Sequence, residues 1–261
     1  MKKIFYVFIL FSCLVGLPIR VWAWSGATVS VKTGKILKTE SADEVLPLAS
    51  LTKLMTALVL LDQKINFNKK ITIAKDDLTH VKAYINQGDV TSEINIKEGD
   101  IVTARDLWNA MLIASSNTSA VALARSVGLS QDDFVKKMNA KAKALGLKDT
   151  QFTEPSGIDP KNVGTAKEMG IIARQAFSNP TIRTAGIKTS YKIRTLNKKP
   201  KITNIYNRNN SLLAMKPIGM KTGYLTEAQN NVAVRFDDKV VVVLHAETNK
   251  ERNDDIVKMK K

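Results

Sequence analysis

One cysteine and two histidines among 261 residues leave little room for several kinds of chemistry. A tetrahedral zinc centre draws on Cys and His, and Cys13, His80 and His245 cannot build a Cys- and His-rich one. A lone cysteine forms no disulfide framework. A Ser-His-Asp triad would have to recruit His80 or His245; both read as ordinary strand or loop residues and are given no role. No metal and no cofactor is expected. Acidic side chains are in the minority, 24 against 40 Lys and Arg, a formal charge of +16. Internal repeats and low-complexity linkers are absent. What remains is ordinary globular composition, 44% apolar and 25% charged, which excludes long-range disorder and collagen-like structure.

The first 23 residues read as an address. Met1-Lys2-Lys3 is basic, Ile4 to Gly16 is almost wholly apolar, and Val21-Trp22-Ala23 offers small-enough residues where a signal peptidase reads. The apolar run is shorter than the roughly 20 residues of a spanning helix. Cleavage after Ala23 is expected, leaving one domain over 24–261. A rival reading has Cys13 lipidated within Leu10-Phe11-Ser12-Cys13, and a plainer one has a buried N-terminal helix. Removal of 1–23 takes Lys2, Lys3 and Arg20 and no acid, leaving 37 basic against 24 acidic side chains. Such charge suits nucleic acid, but export argues against that partner. Phospholipid headgroups and cell-wall polymers are the polyanions outside, so peripheral membrane or cell-wall association is expected. The cluster Lys198-Lys199-Pro200-Lys201 has no interleaved aromatic and reads as a solvated loop.

Ala27–Val31 and Lys35–Lys38 flank Thr33-Gly34 as a hairpin. Leu51 to Leu61 is apolar on nearly every face, which predicts a helix buried all round. Thr103, Ser130 and Thr165 are each followed three residues later by an acid and predict helix starts, running to about Ala114, Leu145 and Phe177. Phe152 to Gly164, with two prolines and two glycines, predicts a loop. Strands follow at Tyr191–Thr195, Asn231–Phe236 and Val240–His245, the last two joined at Asp237-Asp238, and a polar helix closes the chain from about Lys250. Strands at both ends and helices between predict an α/β (α+β) fold: a mainly antiparallel sheet covered by helices, with a helical subdomain inserted.

Three short motifs carry the chemistry. In Ser50-Leu51-Thr52-Lys53 the first and last residues share a helix face, so the amine reaches the hydroxyl. A serine is a weak nucleophile until a base takes its proton, and lysine serves as that base when burial or a neighbouring cation lowers its pKa. Ser115-Ser116-Asn117 lies between helical runs and can aim a hydroxyl and an amide into one cleft; a plain helix-to-helix turn capped by Asn117 is the alternative. Lys221-Thr222-Gly223, running into Tyr224, offers a cation and a hydroxyl beside a glycine that admits a close backbone. A second copy, Lys32-Thr33-Gly34, sits in the predicted hairpin turn, where its glycine has a geometric use.

In this order, with 65 residues between Ser50 and Ser115 and 106 from Ser115 to Lys221, the motifs form the signature set of penicillin-binding proteins and serine β-lactamases. Leu46 to Ala57 and Gly219 to Tyr224 resemble the active-site blocks of the low-molecular-mass D-alanyl-D-alanine carboxypeptidases, and the resemblance covers essentially all of 24–261. Glu154-Pro155-Ser156-Gly157-Ile158, with Asn162-Val163 and Thr165-Ala166, is similar to members that cut cross-links as endopeptidases. After the third motif the family commonly has Ala-Gly and a cysteine; Glu227-Ala228-Gln229-Asn230-Asn231 stands here instead, which bears on the fine shape of the cleft. With 38 residues after Gly223, neither a C-terminal β domain nor an amphipathic anchor is expected.

The resemblance implies that Ser50 attacks the carbonyl of a D-Ala-D-Ala-type bond of a peptidoglycan stem peptide and forms an acyl-enzyme. Lys53 takes its proton, and Ser115 with Lys221 carries it to the leaving amine. Lys221 and Thr222 hold the terminal carboxylate, Asn117 holds the peptide, and the backbone N–H groups of Ser50 and Tyr224, with Gly223 between, flank the oxyanion. β-Lactams would acylate Ser50, and the positive Lys221 would lower the pKa of Lys53. Three alternatives stand beside this reading. A class A-like β-lactamase would use Glu154 to activate the deacylating water. An inactive cell-wall-binding module and a nucleic-acid binder are the others.

Overall fold

The computed structural model describes residues 24–85 and 92–261, so the expected leader, with Cys13, lies outside the described residues. The chain opens with β1 (Ser25–Ser30) and β2 (Ile36–Glu40), an antiparallel hairpin turned at Thr33-Gly34. A short β3 (Leu46–Pro47) leads through one 3-10 turn, Ala49–Leu51, into α1 (Thr52–Asp62). The helical insertion continues as β4 (Lys70–Thr72), α2 (Lys75–Lys82), β5 (Ile101–Thr103), α3 (Ala104–Ile113), α4 (Asn117–Ser126) and α5 (Gln131–Ala144). β6 (Val163–Gly164) pairs with β3, and α6 (Ala166–Ser178) and α7 (Pro180–Gly186) follow. Then come β7 (Ser190–Arg194), β8 (Ile202–Tyr206), α8 (Asn210–Ala214), β9 (Gly219–Leu225), β10 (Gln229–Arg235), β11 (Lys239–Ala246) and α9 (Asn249–Lys260).

The main sheet is antiparallel and runs β2-β1-β11-β10-β9, so the first described strand pairs with the last, Ser25 opposite Leu244. Side chains on a strand alternate between faces. Val240, Val242 and Leu244 therefore enter the large core beneath α6 and the insertion, while Val241 and Val243 enter a smaller one with Ile256 and Met259 of α9. Both faces are covered, which is why β11 reads as an unbroken valine run. Each fully buried valine contributes about 1.5–3 kcal/mol. Thr52 to Leu60 of α1 are all buried, the all-round burial its sequence predicts.

Thr103, Ser130 and Thr165 cap α3, α5 and α6 by accepting the N–H of Asp106, Asp133 and Glu168. Among the elements absent from the sequence reading are α2, α7, α8 and β8. The Lys198-Lys199-Pro200-Lys201 cluster lies in the β7–β8 connection, and Lys201 pairs with Asp100 at 3.0 Å. The polar closing helix, α9, is amphipathic in place, burying Arg252, Asp255, Ile256 and Met259. His80 stands on a helix, not on a strand or loop, and contacts Gln131 and Glu154. Among the described residues no helix is long and apolar enough to cross a membrane.

Candidate active site

Ser50 sits in the 3-10 turn at the head of α1 and Lys53 in that helix's first turn. Lys53 is completely buried, and its Nζ lies 2.7 Å from Ser50 Oγ, 2.7 Å from Asn117 Oδ1 and 2.5 Å from the Ser156 carbonyl. Nζ donates to all three oxygens, which fills the three donors of an ammonium; once deprotonated, the amine keeps two N–H groups for Asn117 and Ser156 and turns its lone pair to the Ser50 O–H. Burial lowers the Lys53 pKa to about 8, against the opposing pull of Glu154 and Glu93. An amine so placed can take the hydroxyl proton as the oxygen attacks.

Lys221, also buried, donates from Nζ to Ser115 Oγ at 2.8 Å and to the Thr222 carbonyl at 2.6 Å. Its pKa falls well below the ordinary lysine value, first through burial and then through the positive charge of Lys53. The like-charge effect expected on Lys53 thus acts on Lys221; Lys53 is lowered by burial. Ser115 holds φ +61° in the connection between α3 and α4, a conformation that costs a non-glycine residue about 1–3 kcal/mol. Asn117 opens α4, while Ser116 is its cap, accepting the Ser119 N–H. Thr222 Oγ1 accepts from Asn209 Nδ2 at 3.2 Å, and Tyr224 is half exposed at the rim.

Two glycines set the close approaches. A Cβ on Gly223 would lie 2.9 Å from the Ser50 nitrogen, so β9 presses directly on the turn that carries Ser50. A Cβ on Gly157 would lie 1.9 Å from the Ala49 carbonyl oxygen, and Gly157 holds φ +81°. The loop carrying Gly157 docks on the same turn: Leu48 N–H donates to the Asn162 carbonyl at 2.8 Å and Thr56 Oγ1 to that of Pro155 at 2.6 Å. Asn231, where the sequence departs from the family pattern, is buried and donates to the Pro47 carbonyl at 2.9 Å while accepting the His245 N–H at 2.8 Å. It ties β10 to the segment leading into Ser50.

Glu154 is fully buried. Its carboxylate accepts N–H groups of Ser156 at 2.6 Å and Ile158 at 2.9 Å, the N–H of Gly157, and Asn162 Nδ2 at 2.7 Å. Burial pushes its pKa up, but His80 and the donors of Ser156 more than offset this, and the carboxyl rests below its ordinary value. A carboxylate so occupied is a structural clasp, not the free base a β-lactamase needs for its water. Among the described residues no group of three or more His, Cys, Asp or Glu gathers as metal ligands.

The sequence reading brought together Ser50, Lys53, Ser115, Asn117, Lys221, Thr222, Gly223 and Tyr224, and all of them meet here. It missed Glu93, which accepts the N–H groups of Asn117 and Thr118. It also missed Arg208 and Arg252, two cations lining a cavity of about 480 Å³ with Ser50, Thr222 and Gly223. Arg252 is buried, and burial lowers its pKa to about 10. A smaller cavity, about 110 Å³, lies between Ser50, Asn117, Gly157 and Tyr224. A third, about 360 Å³, starts at Ser115 and Thr222 and runs along Thr203 to Tyr206.

Residues 18–248 match the family described as D-alanyl-D-alanine carboxypeptidase. The chain is 31% identical over 249 residues to a D-alanyl-D-alanine carboxypeptidase of Bacillus subtilis, covering 91% of this chain and 61% of that protein. It is 35% identical over 156 residues to a D-alanyl-D-alanine endopeptidase of Pseudomonas aeruginosa, covering 59% and 48%. The chain thus spans about half to three fifths of the length of these curated relatives. A DD-transpeptidase of Streptomyces superposes with a TM-score of 0.80 at 32% identity, over 90% of this chain and 94% of that one. Match length, fold and the convergence of the three motifs agree, and the chain belongs to the D-alanyl-D-alanine carboxypeptidase family.

Proposed function

We propose that this protein is a serine DD-peptidase that cleaves D-Ala-D-Ala-type bonds of peptidoglycan stem peptides through a Ser50 acyl-enzyme. The buried Lys53 amine on Ser50 Oγ carries the reading. Ser50 Oγ attacks the scissile carbonyl as Lys53 takes its proton. The oxyanion forms between the N–H groups of Ser50 and Tyr224, where β9 lies closest to the turn. Such a donor is typically worth about 10²–10³ in rate. The proton passes through Ser115 and Lys221 to the leaving amine, and that side of the cleft carries Lys221, Thr222 and Arg208 to meet a carboxylate. Water then hydrolyses the ester. With every position filled, this chemistry is favoured over an inactive binding module.

Cross-link endopeptidase action is the second reading, favoured by the cavity that continues beyond Ser115 and Thr222 and can take a leaving group longer than D-alanine. Export with cleavage after Ala23, and peripheral membrane or cell-wall association, belong to the same proposal; the order of charged, apolar and small residues in 1–23 and the basic balance support them.

Intact mass of the 24–261 protein after incubation with benzylpenicillin, beside Ser50→Ala, tests the proposal. One stable adduct, absent from the variant, is expected. Penicillin hydrolysed without an adduct would instead favour the β-lactamase, and penicillin recovered intact the binding module.

A further inference from the structure

We propose that Glu93 is a positioning residue of the Ser50–Lys53 centre: it clamps the first turn of α4, holds Asn117 and through it the Lys53 amine, and places a negative charge in that amine's surroundings. α4 carries no acid in its own first turn, although a helix N-terminus favours one. Glu93 supplies it from a separate segment of the chain. Oε1 accepts the N–H groups of Asn117 and Thr118, both at 3.1 Å, and Oε2 accepts the Ser116 O–H at 3.2 Å. The carbonyl of the adjacent Ser92 accepts the Asn117 N–H as well, at 3.2 Å. All four bonds come from Ser116, Asn117 or Thr118, and the Asn117 Oδ1 takes the Lys53 N–H. A clamp on this backbone therefore fixes one of the three contacts that orient the amine.

The charged groups bearing on Lys53 come from two sides, Glu154 from the loop with Ser156 and Glu93 from the segment before β5, while Lys221 of β9 is itself lowered by the charge of Lys53. His80 of α2 stands behind Glu154, at 3.8 Å. The two acids favour the protonated amine and burial opposes it. Burial also raises the pKa of Glu93 itself, against the donors of Thr118 and Ser116 and the charge of Lys53.

Glu93→Gln separates charge from shape, because it keeps a carbonyl oxygen for the two N–H donors. Its test is acylation by benzylpenicillin as a function of pH, with a carbon-13 NMR titration of the Lys53 side chain, assigned with Lys53→Met. The Gln variant should shift both midpoints to lower pH by about one unit while keeping most of the plateau rate. Glu93→Ala, which removes the clamp, should lower acylation about 10²-fold at every pH. Superimposable titrations of the native and Gln proteins would overturn the charge role, and native acylation in the Ala variant would overturn the clamp. The kinetic arm rests on the peptidase reading: absence of acylation in the native protein would overturn that reading, and the NMR midpoints would still decide the charge role of Glu93.

Discussion

The Ser156 carbonyl accepts a hydrogen bond from Lys53 Nζ at 2.5 Å, across 103 residues of sequence. A loop that contributes no side chain to the proposed chemistry thereby helps to hold the proposed base, Lys53, against Ser50. With Asn117 accepting a second N–H and Ser50 Oγ a third, loss of one proton turns the lone pair to Ser50, so the proposed activity of the pair depends on Lys53 being neutral.

That dependence predicts the pH profile. The Lys53 pKa is lowered to about 8, so acylation by benzylpenicillin should rise with pH, about tenfold per unit below that value, and level off above it. The same shift bears on stability. Unfolded Lys53 keeps its proton to about 10.5, so the unfolded state binds more protons between about 8 and 10.5, and this group's contribution to stability rises with pH across that window. Stopped-flow acylation and denaturant titrations at several pH values check the two limbs. A rate that is flat through pH 8 would rule out Lys53 as the titrating base.

Glu154 predicts an acid limit. Its carboxyl is held below the ordinary value, so it stabilises the fold above its unfolded pKa and the contribution is lost as pH falls through the folded one. Glu154→Gln keeps one acceptor oxygen for Gly157, Ile158 and Asn162 but sets an NH₂ against the Ser156 N–H that Oε2 accepts. A loss of about 3 kcal/mol is expected, together with a flatter acid limb of the stability curve. Urea unfolding near neutrality and in mild acid measures both.

Gly223→Ala should damage catalysis more than folding. The added methyl meets the Ser50 nitrogen and the Ala49 Cβ at 3.1 Å, and pushes β9 away from the oxyanion position. Acylation is expected to fall by about 10²–10³. β9 is an edge strand, paired on one side only, so Tm should drop by only a few degrees. Equal losses in acylation and stability would point to general disruption instead.

The candidate catalytic groups were legible in sequence because each motif is local: three residues of helix bring Lys53 under Ser50, and Lys221 to Tyr224 are consecutive on one strand. Thr103, Ser130 and Thr165 were legible for the same reason, since a cap and its acid are three residues apart. Glu93 was not, because its partners lie 23 to 25 residues away and are met only by tertiary docking; Glu154 was legible as part of an endopeptidase-like string and as a β-lactamase's general base, while its clasp on its own loop depends on donors that no spacing rule announces. Arg252 sits in the polar first half of α9, and its burial follows from how Ile256 and Met259 seat the helix on the sheet. β8, Ile202–Tyr206, exposes two of its apolar residues, Ile202 and Tyr206, and so gives no signal of a half-buried strand.

The cavity along β8 separates the two peptidase readings. If the leaving group is D-alanine, it occupies only the space beside Ser115, Lys221 and Thr222, and the far wall at Thr203 to Tyr206 is not used. If the leaving group is a diamino acid still attached to its own stem, the chain beyond the scissile amine has to pass along that wall. Asn204 is exposed there and pairs with Lys192 in the β7–β8 ladder, so a bulky side chain can be introduced without disturbing a core. Asn204→Trp should lower kcat/KM on a cross-linked muropeptide dimer about tenfold or more, mostly through KM, and leave pentapeptide trimming and penicillin acylation within about twofold. Loss on both substrates alike would place the shorter leaving group against the same wall. No loss on either would show that this cavity is not part of the substrate path.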